Sequence, residues 1–328
     1  MKTIAFFNNK GGVGKTSLVY HLSWMFSMHG LNILAVDLDP QSNLTSMFLE
    51  DDRLEELWDG EEHKQTIYGA IRPILRGTGD ILTPHVEVVS NSLGLINGDL
   101  GLSRFEDKLS DAWPRCHNRD ESAFRTMTVF HRLALLGGKQ CQADLALIDV
   151  GPNLGAINRA ALIAAENVVI PLSADLFSLQ GLRNLGPTMK EWRGIWTELI
   201  PKAPEDIDVP KGLMSPTGYV VSRHGVVESR PVKSYQRWVQ RIPETFRESV
   251  LGENSYNSPD PANDPYALAM LKHYRSLMPM AMNSRKPMFS LRASDGAIGA
   301  HVEAVHACYD DFLRLAKRIG EIIGVAIN

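Results

Sequence analysis

The sequence predicts an α/β protein, a mostly parallel twisted sheet with helices on both faces, and three observations predict it. Short apolar runs alternate with helical stretches along the chain. The first two runs enclose a glycine-rich loop and a helix, the order of a βαβ unit. The runs are apolar throughout, as strands covered on both faces are.

Residues 3–8 form a β-rich apolar run, 10–14 a loop, and 15–29 a helix by its apolar spacing. Residues 33–37 make the next strand, closed by a turn at Asp39-Pro40. The segment 50–79 is polar and acidic at its start, and reads as loop with short helices. A strand and turn follow at 86–96, then helices at 99–113 and 121–136. Further buried strands are expected at 145–149, 167–171 and 218–222. Asn, Ser, Asp and prolines mark 255–265 as an exposed loop, and 295–323 is a long closing helix. No internal repeat or long linker divides the chain. One domain over 1–328 is expected, with insertions near 50–140 and 251–290.

Composition narrows the class. With 44% hydrophobic and 22% charged residues, the 328-residue chain can build a sizeable core. A net charge of -4 argues against coating nucleic acid with the whole surface, while leaving room for a local basic face. The three cysteines, Cys116, Cys141 and Cys308, are scattered, as in a reducing cytosol. There is no secretory pattern at the start and no run of about 18 apolar residues, so a cytoplasmic protein without a membrane span is expected. The ten histidines lack metal spacing, and no Ser–His–Asp or Cys–His pattern stands out.

The most informative stretch is Asn9-Lys10-Gly11-Gly12-Val13-Gly14-Lys15-Thr16-Ser17. Three glycines in four positions let backbone N–H groups turn inward around phosphate oxygens. The helix that begins near Lys15 adds its N-terminal dipole. Lys15 is placed to reach the β- and γ-phosphates, and the Thr16 hydroxyl to ligate Mg²⁺. This is a P-loop, although Asn9 stands where the usual motif has its first glycine.

The same stretch resembles the deviant Walker A loop of the ParA/MinD family, whose mark is a second lysine at the loop's start. Residues 36–45, with Asp37, Asp39, Pro40 and Gln41, resemble that family's Walker A′ and first switch. Residues 144–152 resemble its Walker B strand and second switch, with Val150-Gly151-Pro152 where relatives show Thr-Pro-Pro. The likeness is strong over 1–50 and 140–190 and loose beyond 200. It implies a P-loop NTPase fold, ATP and Mg²⁺ as ligands, and a homodimer that sandwiches nucleotide. Lys10 would reach the partner's phosphates in trans, and residues 10–17 would hold the nucleotide. Asp39 would position the attacking water. Asp37 and Asp149, with Thr16, would hold Mg²⁺ and its hydration shell. Gly151 would respond to loss of the γ-phosphate. The segment 278–287 resembles the family's proline-bearing stretch near adenine.

Two uses of such a switch are weighed. The first is a ParA-like partition or positioning ATPase that binds DNA non-specifically and is stimulated by a ParB-like or cargo adaptor protein. Its basic face would draw on Arg223, Arg230, Lys233, Arg237 and Arg241, the last three at i, i+4, i+8 on one helix. A second basic run holds Lys272, Arg275, Arg285, Lys286 and Arg292. The alternative is a MinD-like ATPase on a membrane surface, using the amphipathic stretch 311–325.

Overall fold

The computed structural model describes residues 1–222, 232–253, 260–274 and 276–327, without the side chains of 232–235. Eight strands form one sheet in the order β3-β4-β2-β5-β1-β6-β7-β8. They are β1 (Lys2–Phe6), β2 (Ile33–Asp37), β3 (Glu87–Ser90), β4 (Leu93–Ile96), β5 (Leu145–Asp149), β6 (Asn167–Ser173), β7 (Ser215–Ser222) and β8 (Ala267–Leu271). All neighbours run parallel except the β3–β4 hairpin at one edge.

The three central strands β1, β2 and β5 are buried almost throughout, and their side chains divide between the two faces. Ile4, Phe6, Ile33, Ala35, Leu145 and Leu147 enter one core; Ala5, Phe7, Leu34, Val36, Ala146 and Ile148 enter the other. That alternation is the two-residue period of a strand, and it explains why the sequence reads as unbroken apolar runs.

Several boundaries differ from expectation for local reasons. The expected helix at 121–136 is two helices, Glu121–Met127 and Val129–Gln140. At the break both the N–H and the hydroxyl of Thr128 donate to the Phe124 carbonyl. The closing helix starts at Ala300 rather than 295, because Gly296 (φ 90°) and Gly299 (φ 57°) take backbone angles that a helix cannot. In the segment 99–113, Leu100–Phe105 is a 3-10 turn and only Glu106–Arg115 is α-helical. Residues 50–140 and 251–290, expected as insertions, supply β3, β4 and β8 to the common sheet.

The face that carries the N-terminal helix Lys15–Met28 is sealed by the last part of the chain. Phe312, Leu315, Ile319 and Ile323 of the closing helix are buried there, with Phe289. In their midst His21 is fully buried and stacked on Phe312 at 5.0 Å. The Met288 N–H donates to its Nε2 (3.1 Å), so Nδ1 carries the hydrogen and donates to the Ser17 carbonyl (2.7 Å). One neutral ring thus ties the first turn of the Lys15–Met28 helix to a segment 267 residues away.

Burial pulls the His21 pKa from 6.5 down to about 4. The unfolded chain takes up this proton more readily than the folded one. Its contribution to stability is therefore whole above about 6.5 and drains as the pH falls toward 4, by about 3 kcal/mol. Denaturant titrations across this window should show that slope in the wild type. In His21→Leu the slope should flatten, on a lower baseline set by the two lost hydrogen bonds.

Candidate functional site

The carboxyl ends of β1, β2 and β5 converge on one side of the sheet, where the chain changes direction across it. The loop after β1 is pinned at its root. Asn8 is buried, its Nδ2 donates to the Pro171 carbonyl on β6 (2.6 Å), and its Oδ1 accepts from the Lys10 N–H (2.9 Å). Beyond it Gly12 (φ 72°) and Gly14 (φ 87°) are left-handed, and Val13 plugs the core. Gly11 and Gly12 face open space. Gly14 is the N-cap of the Lys15–Met28 helix, and no side chain caps that terminus. The free amides of the first turn face outward, as a phosphate cradle requires. Lys15 is only 7% exposed, and its Nζ reaches back to the Lys10 carbonyl at 3.3 Å. Burial lowers its pKa, and the carboxylates of Asp149 and Asp39 oppose that shift.

Asp37 and Asp149 are register partners at the ends of adjacent strands, and both are fully buried. Asp37 is well satisfied. Its Oδ2 accepts from the Thr45 N–H and hydroxyl, each at 2.8 Å, and its Oδ1 from the Asp39 N–H at 3.2 Å. Burial nevertheless lifts its pKa to about 7, helped by the neighbouring Asp39. Among the described residues, neither oxygen of Asp149 has a hydrogen-bond partner. Burial and the facing Asp37 push its pKa well above the usual carboxylate range. The Thr16 hydroxyl and Lys15 pull the other way, Thr16 without reaching hydrogen-bonding geometry. An orphaned buried carboxylate beside a threonine hydroxyl fits a hydrated divalent cation. Among the described residues no three His, Cys, Asp or Glu form a protein cage. The arrangement therefore suits Mg²⁺, which keeps water and phosphate oxygens as most of its ligands.

The two expected switch segments touch each other. Asp39, 7% exposed, accepts from the Gln41 N–H through Oδ1 (3.0 Å), and a Cβ placed on Gly151 would lie 3.3 Å from that oxygen. The Gly151 carbonyl accepts from Asn158 Nδ2 at 2.9 Å. Glu106 holds the next element, its carboxylate accepting from the Ala156 and Ile157 N–H groups that open the Ala156–Ala164 helix. Asn158, Glu106 and Thr45 carry no local motif that would have singled them out; Thr45 alone stood inside a quoted segment.

Gly11, Gly12, Lys15, Thr16, Asp39, Gln41 and Pro152 line a cleft of about 660 Å³, closed on its far side by Met278, Met282 and Arg285. A smaller hollow of about 90 Å³ opens between Gly14, Ser17, Ser222, Lys272 and Met278. The segment expected near a base therefore does stand beside the glycine loop. Arg285, a member of the second basic run, clasps the chain just after the first switch. It donates to the Ser46 and Leu49 carbonyls and pairs with Glu50 (2.7 Å) and Asp51 (2.6 Å). Lys286 likewise pairs with Asp295 at 2.8 Å, so two cations of that run are neutralised.

Other expectations change too. Lys10 does not line the cleft; its ammonium pairs with Asp175 and lies 6.0 Å from the Phe177 ring. Arg241 is not on the helix of Arg237, because that helix ends at Val239. Pro243 has no N–H to give the Val239 carbonyl. Arg237 and Arg241 instead both approach the Trp238 ring, at 5.3 and 5.6 Å. Arg223, Arg230, Arg275 and the Lys233 side chain lie outside the described residues. The apolar stripe of the closing helix is buried in the core rather than offered to a membrane, with Ile322 its exposed member at 43%. Among the described residues no helix is long and apolar enough to cross a bilayer.

A glycine loop opening an uncapped helix, beside strand-end carboxylates on a parallel sheet, defines a P-loop NTPase fold. The AAA domain family matches residues 1–198, and the chain belongs to it, within the ParA/MinD-type ATPases. It is 29% identical over 193 residues to protein IncC of Escherichia coli, covering 59% of this chain and 47% of that one. With the chromosome partitioning protein ParA of Caulobacter vibrioides it shares 27% over 194 residues, covering 59% and 64%. The chain thus spans about half to just under two thirds of the length of these curated relatives. The crystal structure of protein DIP2308 from Corynebacterium diphtheriae superposes with a TM-score of 0.67 at 23% identity, covering 98% of both chains, a likeness of fold.

The charge at Asp149 makes a measurable demand. Its raised pKa means that stability is whole in acid and is lost as the pH rises through the shifted value. In metal-free buffer, Asp149→Asn should melt near the wild type at pH 5. At pH 8 it should be more stable, by about 1–3 kcal/mol. Millimolar Mg²⁺ should raise the wild-type melting temperature at pH 8 and leave the variant unmoved.

Proposed function

We propose that this protein is a ParA-like ATPase, an ATP-dependent dimeric switch that drives partitioning or positioning of DNA or other cargo. The observation that carries the reading is the convergence of an uncapped helix terminus and Lys15, which line one cleft, with the orphaned Asp149 carboxylate buried beside Lys15 and Thr16. The amides of residues 11–16 and Lys15 would bind the triphosphate. Thr16, Asp37 and Asp149 would hold Mg²⁺, Asp37 through the turn it anchors at Thr45. A cation held by these residues would supply positive charge to offset that of the phosphates. Asp39, against Gly151, would orient the attacking water.

Lys10 would act on the partner's nucleotide, leaving Asp175 when two copies meet. Exposed Leu154, Leu176 and Phe177 beside the loop supply apolar surface for that meeting. The continuous sheet supports a single working unit, which would act in the cytoplasm. The chromosome partitioning relative supports a partition role. The protein would bind DNA non-specifically, Arg237 and Arg241 contributing to the basic face, and a ParB-like or cargo adaptor protein would stimulate hydrolysis. The buried stripe of the closing helix weighs against the MinD-like membrane alternative.

Asp39→Ala with ATP and Mg²⁺ should accumulate as a dimer by light scattering, retard duplex DNA in a salt-sensitive way, and capture an adaptor from lysate. A trapped form that stays monomeric and binds neither DNA nor protein would sink the partition reading. Lys10→Ala should retain a fluorescent ATP analogue with little change. Its turnover should fall roughly 10³-fold, the scale on which a trans cation acts in phosphoryl transfer.

A further inference from the structure

A second cavity, of about 540 Å³, lies away from the cleft and is walled by Glu61, His63, Tyr68, Arg76, Gly101 and Arg104 among others. Arg76 ends the Ile67–Arg76 helix and Arg104 lies in the 3-10 turn Leu100–Phe105, so two separate elements aim cations at one hollow. Both are exposed. Arg104 meets the Tyr68 hydroxyl at 3.5 Å and its ring centroid at 6.0 Å. Glu62 lies in the field of Arg76 but its ion pairs go to Lys64 and Arg72. Among the described residues, neither Arg76 nor Arg104 has a carboxylate partner.

The wall behind them is built with care. His63 is left-handed (φ 43°), a conformation costly for a residue with a Cβ. It is held there by Nδ1 to Asp99 Oδ2 (2.7 Å) and by Nε2 to the Gly60 carbonyl (3.0 Å). Buried Asp99 also accepts from the Thr66 hydroxyl and the Gly101 N–H, each at 2.6 Å. It is fully occupied and does not compete for the arginines. Two free arginines against Glu61 leave one unmatched positive charge.

We propose that this cavity binds a carboxylate group between Arg76 and Arg104 and that occupancy is felt by both switches. A carboxylate matches the planar fork of either guanidinium with two parallel hydrogen bonds, and it supplies the negative charge that Glu61 alone does not. The segment 98–106, which carries this 3-10 turn, is bonded to the first switch and to the helix that follows the second. At its start, the Gly98 N–H donates to Thr45 Oγ1 (2.7 Å), which donates to Asp37 (2.8 Å). At its end, Glu106 holds the first N–H groups of the helix after the second switch, Ile157 at 2.9 Å. Pulling Arg104 toward a ligand moves a segment bonded at both ends to the site. This regulatory role rests on the ATP-switch reading; binding to the cavity does not.

The full chain, free of nucleotide and at low salt, is titrated calorimetrically with succinate and, separately, with a capped tetraglutamate peptide. Saturable binding is expected. Arg76→Gln and Arg104→Gln should each weaken it about tenfold, and Glu61→Gln should tighten it about threefold. Circular dichroism checks that these surface variants stay folded. Tighter peptide binding assigns the carboxylate to an acidic protein segment, and equal or tighter succinate binding to a free dicarboxylate. If neither saturates, or if both arginine variants bind as the wild type does, the site is overturned. Saturating ligand should shift the affinity for a fluorescent ATP analogue about threefold or more. An unchanged affinity overturns the link to the switches, and carboxylate binding by a chain that takes up no nucleotide sinks the ATPase reading alone.

Discussion

Two carboxylates stand side by side at the ends of adjacent parallel strands, and hydrogen bonds satisfy only Asp37. Asp149 keeps both oxygens bare in a place where water does not reach. An unpaired buried charge is among the costlier things a fold can hold. The surroundings only partly offset it: Lys15 is buried nearby, and the helix that opens at Gly14 turns its positive end toward the same side. The pocket therefore has a standing demand for a cation, and a cation there has a standing demand for anions. A nucleotide with its metal would meet both demands.

Around this centre the structure spends its remaining polar contacts on fastening loops rather than on chemistry. Asp37 anchors the turn at Thr45, Asn158 the Gly151 carbonyl, Glu106 the helix that follows, and Arg285 the chain just after the first switch. All four anchors belong to other elements than the one they hold. Each switch is thus fastened by a few hydrogen bonds, enough to set a resting position and few enough to exchange for others.

Charge read along the chain and charge arranged in space tell different stories here. The basic run from Lys272 to Arg292 contains no acid in sequence, yet Arg285 and Lys286 find Glu50, Asp51 and Asp295 once the chain folds. Arg76 and Arg104, inconspicuous in sequence, line one cavity, and among the described residues neither pairs with an acid. Local composition shows how much charge a segment carries; it does not show which charges cancel.

The sequence by itself determined the sheet's central strands, the phosphate loop and the order of the switch segments. These depend on contacts between near neighbours: a period of two along strands, glycine at positive φ, a helix opening after the loop. Strand-end Asp37, Asp39 and Asp149 were legible for the same reason, since a strand's carboxyl end is where a parallel sheet opens to ligands. Only the tertiary structure decided that β8 joins the sheet, that the helix after residue 231 stops short of Arg241, and that Lys10 rests on Asp175. It alone placed Glu106 and Arg285 at the switches and His21 under the phosphate loop's helix. Those pairings join residues far apart in the chain, and which distant groups meet depends on how whole elements pack, a quantity no short window of sequence contains.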